Sequence, residues 1–214
     1  MPAPDTFATG VPVLGALYAG GQGRRLGGQD KAQIVIGRRR LIDYALPKLT
    51  GAAQQTIFLA PEPRDWMSDY PNARHVPDQL PDGADIGPAG GLLAALEFAF
   101  GASGPDSVVV TCPIDVPFFP EAVLLRLVQA IRGDTQAAVL ETEGRLQPTF
   151  AAIRADQASD LRVAIDDGMR ALHALLSHMS AEIVSTDAPP DAFRNINTPE
   201  DLHAARTIAT RHAG

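Results

Sequence analysis

An almost uninterrupted apolar run, Val11 to Tyr18, stops at a glycine-rich stretch from Gly20 to Gly28. Few folds accommodate that junction. The run reads as a strand buried on both faces, as parallel sheets require, and the stretch as the loop that leaves it. Its glycines expose backbone N–H groups and allow left-handed conformations, so the loop can wrap closely around an anion. Arg24, Arg25 and Lys31 add fixed positive charge to it, and Arg38, Arg39, Arg40 and Lys48 follow within the same window. The chain as a whole carries a net charge of -7, with 18 basic against 25 acidic residues. That balance repels nucleic acid and anionic membrane, whereas a polyphosphate would neutralise the local cations. The Arg38 to Arg40 run itself reads as a solvated turn.

Two familiar phosphate loops fail on spacing. No Gly-Lys-Ser or Gly-Lys-Thr tripeptide occurs, which excludes the Walker pattern. Gly21 and Gly23 are followed by Leu26 where a dinucleotide fingerprint needs its third glycine.

Strand-like and helix-like segments alternate along the rest of the chain. Ile34 and Ile36 suggest a short extended piece, and Leu41 to Leu49 a helix ending near Pro47 to Gly51. Thr56 to Leu59 reads as a strand, and the proline-rich stretch from Pro61 to Pro88 as a long loop with one extended piece at Arg74 to Val76. Gly90 to Phe100 and Pro120 to Ile131 have helical periodicity around the β-branched strand Ser107 to Cys112. Ala137 to Glu141 and Gln147 to Ile153 read as strands about a Glu143-Gly144 turn. Leu161 to Ile165 and Met169 to Met179 read as helices, and Ala181 to Val184 as a last strand. Thr198-Pro199-Glu200-Asp201 opens a C-terminal helix to about Arg211. The economical architecture is one Rossmann-like α/β domain over residues 1–214, with a mostly parallel twisted sheet and helices on both faces. Residues 1–10 are expected to form a flexible N-terminal extension.

Asp115, in Cys112-Pro113-Ile114-Asp115-Val116-Pro117, lies just beyond a buried strand. Ligands of open α/β sheets bind outside the carboxyl ends of the strands, so Asp115 belongs to the same crevice as the glycine loop. A lone carboxylate suits Mg²⁺, which completes its shell with phosphate oxygens and water; the alternative is a turn-capping aspartate. Asp78 reads on its own as an ordinary loop acid. Asn195 and Asn197 alternate onto one side of a short extended segment, where strand-end and helix-entry hydrogen bonding would account for them. The five histidines form no metal-ligand pattern, and no G-x-S-x-G elbow is present. Cys112, the single cysteine, has no disulfide partner and reads as a core residue. With no run of about 18 apolar residues and no basic leader before Val11, a reducing cytoplasm is the expected compartment.

The stretch Tyr18-Ala19-Gly20-Gly21, Arg25-Leu26-Gly27-Gly28 and Asp30-Lys31 resembles the N-terminal signature of the molybdenum cofactor guanylyltransferases and their nucleotidyltransferase relatives, L-A-G-G-x-x-x-R-M-G-G-x-D-K. Only Tyr18 and Leu26 depart from it. The resemblance runs on through C-P-x-D-x-P at Asp115 to N-x-N-T-P-E-D-L at Asn195 to Leu202. It implies a fold of the nucleotide-diphospho-sugar transferase type and transfer of GMP from GTP to the phosphate of the molybdenum-molybdopterin cofactor, with pyrophosphate released. By the same resemblance, Arg25, Lys31 and Asp115 are the catalytic group. The backbone from Tyr18 through Ala19 and Gly20 to Gly21 binds the nucleotide, joined by Asp78, Gly87 and Gly90. Asp115 and Asn197 would hold Mg²⁺. Gln147, Asn195 and Asn197 fall where the acceptor binds, with Gln147 replacing the family's histidine. GTP, the molybdopterin cofactor and molybdoenzyme-maturation proteins are the implied partners. Ala60 stands where relatives commonly place an asparagine near the nucleotide, and the segment after Asp78 is longer than theirs. A cytidylyltransferase or another nucleotidyltransferase of the same fold, and a non-catalytic nucleotide- or cofactor-binding adaptor, are the competing readings.

Overall fold

A computed structural model of the protein describes residues 10–23, 26–78 and 86–211. Its first strand, β1 (Val13–Tyr18), is the apolar run, and it lies in the middle of a seven-stranded sheet. Beyond it the glycine-rich loop forms a small ribbon, β2 (Gln22–Gly23) with β3 (Gln29–Asp30), and a 3-10 turn at Lys31–Gln33. A second ribbon, β4 (Val35–Ile36) with β5 (Arg39–Arg40), leads into helix α1 (Leu41–Ala52).

Helix α1 continues through Pro47 and ends at Ala52, one residue past the Pro47 to Gly51 stretch in which the sequence places its end. Proline at that position removes the hydrogen bond to the Asp43 carbonyl four residues earlier. The Arg39 guanidinium takes over that carbonyl. Arg40 is engaged as well, by Asp43, Asp69 and the Tyr70 hydroxyl, so Arg39 and Arg40 brace α1, while Arg38 and Arg39 stay exposed as a solvated turn requires.

The chain then moves outward through β6 (Gln55–Leu59) and β7 (Ala73–Val76), parallel to β1, with a 3-10 turn at Asp65–Asp69 inside the long proline-rich stretch. It returns through α2 (Pro88–Ser103) to β8 (Val108–Pro113) on the other side of β1. Helix α3 (Ala122–Ala130) precedes a hairpin of β9 (Ala137–Thr142) and β10 (Arg145–Arg154). Both turn residues have positive φ, 51° at Glu143 and 72° at Gly144, as a tight two-residue hairpin demands. The register of β10 shifts between Gln147 and Ala151, which accommodates Pro148 in a strand. Helices α4 (Ala158–Asp166) and α5 (Leu172–His178), edge strand β11 (Glu182–Ser185) and helix α6 (Pro199–Arg211) complete the chain.

The sheet order is β11-β9-β10-β8-β1-β6-β7, and β10 alone runs against the rest. Alternate residues of β1 explain its unbroken apolar character: Val13 and Leu17 enter the core under α1 and α3, while Leu14 and Ala16 enter the one under α2, α4 and α5. Because β1 and β8 pair in register from Val13↔Val108 to Tyr18↔Pro113, the glycine loop and the Asp115 loop leave the sheet side by side. Among the described residues no helix is long and apolar enough to cross a membrane. Residues 1–9 of the expected extension lie outside the described residues.

Candidate active site

Lys31 comes out of the glycine loop at the start of its 3-10 turn. Asp30 caps that turn: Oδ1 accepts from the Ala32 N–H at 2.9 Å, and Oδ2 accepts from the Trp66 indole at 2.9 Å. With both oxygens engaged, Asp30 fixes the direction in which its neighbour leaves the backbone. The Lys31 stem runs against Gly21, where an added Cβ would lie 3.0 Å from Lys31 Cδ. Its ammonium donates to Asp115 Oδ2 at 2.7 Å and to Asn197 Oδ1 at 2.5 Å. The Lys31 and Asp115 side chains are 13% and 18% exposed, a partly dry setting in which charge pairing is stronger than in water.

Asn197 is placed by two devices. The Ile196 N–H donates to the Asp115 backbone carbonyl at 2.8 Å, docking this segment on the loop after β8. Asp201 then closes a reciprocal capping box at the start of α6. Its Oδ2 accepts from the Asn197 and Thr198 N–H groups, and its own N–H donates to Thr198 Oγ1. Burial works against the Asp201 charge. The Asn197 N–H, the Thr198 hydroxyl and N–H, and the nearby Arg194 guanidinium outweigh it and hold the carboxyl below its usual range.

A second group gathers around Asp78. A Cβ on Gly20 would lie 3.0 Å from Asp78 Oδ2, and one on Gly90 would lie 2.5 Å from its backbone carbonyl oxygen. Gly91 leaves room for the Tyr18 ring and the Asp78 Cβ. Gly87, with φ 64° and ψ -147°, turns the chain into α2 in a conformation that L side chains rarely adopt. Tyr18, Gly20, Asp78 and the first turn of α2 therefore form one wall, and Ala60 and Pro61 border it at Gly20. The Ala60 position carries no polar side chain, although His75 Nε2 lies 2.8 Å from its carbonyl oxygen.

Most positions singled out in the sequence meet at this edge of the sheet: Tyr18, Gly20, Gly21, Lys31, Asp78, Gly90, Asp115 and Asn197. Ala19 is tied to the neighbouring strand by its N–H, which donates to the Leu59 carbonyl at 2.9 Å. Asn195 is exposed, and of the two asparagines it is Asn197 that reaches Lys31. Gln147 gives its amide to Thr142 Oγ1 at 2.8 Å, a bond within the β9–β10 hairpin. Arg25 lies outside the described residues. Asp30 and Asp201 are not site residues by the sequence reading, although both act on the site. The sequence signal for Asp201 is the Thr198-x-x-Asp201 spacing of a capping box.

The donor set suits a hard divalent cation. Asp115 and Asn197 turn one carboxylate and one amide oxygen to a common point, which the Lys31 ammonium occupies. Both are hard oxygen donors of the kind that Mg²⁺ takes together with substrate phosphates, and a cation held by the two would have to displace that ammonium. Among the described residues no cluster of three or more histidine, cysteine or acidic side chains offers a self-sufficient metal cage.

The family description "MobA-like NTP transferase domain" matches residues 15–183. The chain is 36% identical to the molybdenum cofactor guanylyltransferase of Rhizobium johnstonii over 89% of this chain and 90% of that one. It is 35% identical to the protein of the same name from Rhizobium meliloti, over 96% and 94% of the two chains. The crystal structure of molybdopterin-guanine dinucleotide biosynthesis protein A from Archaeoglobus fulgidus superposes with a TM-score of 0.71 at 25% identity, covering 93% of this chain and 99% of that one. The 4-diphosphocytidyl-2C-methyl-D-erythritol synthase of Anaerococcus prevotii shares the fold at TM-score 0.72 and 16% identity, over 95% and 98% of the chains.

Proposed function

The chain belongs to the molybdenum cofactor guanylyltransferases of the MobA-like nucleotidyltransferase family, and from that membership we propose how its residues carry out the family reaction. It transfers GMP from GTP to the phosphate of the molybdenum-molybdopterin cofactor. An acceptor phosphate oxygen forms a bond to the α-phosphorus of GTP, the bond from that phosphorus to the bridging oxygen breaks, and pyrophosphate leaves with its electrons. The acceptor phosphate is already ionised near neutral pH, so no side chain has to remove a proton.

What the reaction needs is neutralisation of two anions and in-line positioning. The backbone from Tyr18 to Gly21 offers N–H groups to the nucleotide, with Asp78, Gly87 and Gly90 closing the wall beside it. Lys31 and Arg25 stabilise charge on the α-phosphate and the departing pyrophosphate. Asp115 and Asn197 would hold Mg²⁺, which when bound supplies further charge stabilisation to the phosphate oxygens. Gln147 and Asn195 are assigned to the acceptor side. The observation that carries this reading is the convergence of Lys31, Asp115 and Asn197 beside the glycine loop.

The test is pyrophosphate release from GTP, Mg²⁺ and molybdenum cofactor. Asp115→Ala should lower kcat by at least about 10²-fold, the scale of losing one preorganised electrostatic element. Wild-type protein that binds GTP and releases no pyrophosphate would identify an adaptor instead. A thermal-shift panel of GTP, CTP, ATP and UTP fixes the base, since selective binding raises stability by about 2.7 kcal/mol at a hundredfold excess over Kd. Equal shifts for all four would remove guanine from the assignment.

A further inference from the structure

Helix α1 turns one face toward the loop that carries Asp115. Tyr44 and Lys48 are four residues apart and so share that face. The Tyr44 ring meets Phe118 edge-on, with centroids 5.7 Å apart. Lys48 Nζ donates to the Pro117 carbonyl at 2.6 Å and stands 4.4 Å from the centroid of the Phe119 ring. One helix face therefore grips three consecutive residues, starting two positions beyond Asp115. On its other side the Asp115 backbone is held by the Ile196 N–H.

Lys48 is a costly choice for such a place. Burial dominates its surroundings and lowers its pKa from the ordinary 10.5 to about 8; the Arg39 charge works in the same direction, against support from Glu121. An apolar side chain would avoid that cost, but it would leave the buried Pro117 carbonyl without its donor. The Glu121 carboxylate, at the start of α3, lies over Gly51 of the same helix.

We infer that Lys48 is a positioning residue for nucleotidyl transfer: acting from α1, it fixes Pro117 to Phe119 and thereby the place of Asp115 opposite Lys31 and Asn197. The catalytic consequence rests on the function proposed above; the clamp itself does not.

Amide hydrogen exchange on the ligand-free protein and steady-state kinetics test the two parts separately, using Lys48→Met and Lys48→Arg. In Lys48→Met the Ile196 amide, whose acceptor is the Asp115 carbonyl, should exchange about tenfold faster, while Ala16 and Ile57 in the central strands keep wild-type rates. The same variant should lose about tenfold or more in kcat with KM for GTP changed less than about threefold, since a misplacement of about 1 Å can cost about 10²-fold. Lys48→Arg keeps a donor and a charge, and should recover most of both losses. Unchanged exchange at Ile196, or equal acceleration across the sheet, overturns the clamp whatever the substrates prove to be. Faster exchange at Ile196 with wild-type kcat overturns the positioning role, as does an arginine variant no better than methionine. Failure of the wild-type protein to turn over GTP would defeat the proposed function and leave the exchange result to decide the clamp.

Discussion

Lys31 and Asp115 are 84 positions apart in the chain and 2.7 Å apart in the fold. The in-register pairing of β1 with β8 produces that contact, because each residue sits on the loop that follows one of these strands. Each group neutralises the other where water has little access, so neither can be changed alone without leaving a charge exposed to a poorly solvating environment.

Lys31→Met should therefore destabilise the protein by about 1–3 kcal/mol, the penalty for leaving a largely buried polar partner unsatisfied. An exposed lysine would have contributed little, but this one is 13% exposed. Combining it with Asp115→Asn removes the stranded charge and should recover much of the loss in stability, whatever either change does to GMP transfer. Urea unfolding of the two single variants and the double variant gives the coupling energy. Simple additivity of the two single effects would mean that the pair contributes nothing to the fold.

The succession of strands and helices was legible because a sheet covered on both faces writes itself as apolar runs, as Val13 to Leu17 and Val108 to Cys112 do. The glycine loop and Asp115 were legible too, since each follows directly on such a run. Less visible were the groups that set the site's geometry. Trp66 reaches Asp30 across 36 positions and Lys48 reaches Pro117 across 69, and no local pattern encodes either contact. The way α1 tolerates Pro47 is hidden for a similar reason: the replacement partner for the carbonyl that Pro47 abandons is the side chain of Arg39, outside the helix. Alternation grouped Asn195 with Asn197, but the docking of Ile196 on Asp115 brings Asn197 to Lys31 and leaves Asn195 exposed.

Gly90→Ala tests the wall around Asp78. Alanine suits a helix better than glycine by about 1 kcal/mol, but here its Cβ would lie 2.5 Å from the Asp78 carbonyl oxygen. Asp78 must move, and overpacking of this kind costs about 1–3 kcal/mol, enough for a rise in KM for GTP of about tenfold. Gly101→Ala, in the same helix with nothing within 4 Å of the added carbon, is the control and should leave KM unchanged. Equal KM values for the two variants would separate Asp78 from nucleotide binding.

Asp201→Asn weakens the capping box that orients Asn197. A cap contributes about 1 kcal/mol, so a loss of that size is expected at neutral pH. The folded state holds the Asp201 carboxyl below its unfolded value, so its contribution is present above the unfolded pKa and disappears as pH falls through the folded one. The stability difference between wild type and variant, followed by chemical denaturation, should be full at pH 6 to 7, begin to fall near the unfolded carboxyl value of about 4 and disappear only at lower pH, below the folded value. A difference that persists in acid would show that the charge is not what matters there.

Lys48 makes the opposite contribution to the pH dependence of stability. Its pKa is about 8 in the folded protein against an ordinary 10.5, with burial the leading cause and Arg39 adding to it, while Glu121 favours the charged form. Between those two values the unfolded chain binds more protons than the folded one, so stability gained from this group rises with pH. Below about pH 8 the folded state carries the whole cost of an ammonium that is poorly solvated, and the cost shrinks as the amine becomes neutral. Wild type should therefore gain stability relative to Lys48→Met as the pH is raised from 7 to 9.5, with the gain setting in near pH 8 and still growing at 9.5, toward the ordinary value of 10.5. Tyrosine ionisation enters both proteins alike and cancels in the difference. A difference that stays flat over this range would mean that the ammonium is well solvated, and with it would go the reason for regarding lysine at this position as a cost accepted for the placement of Asp115.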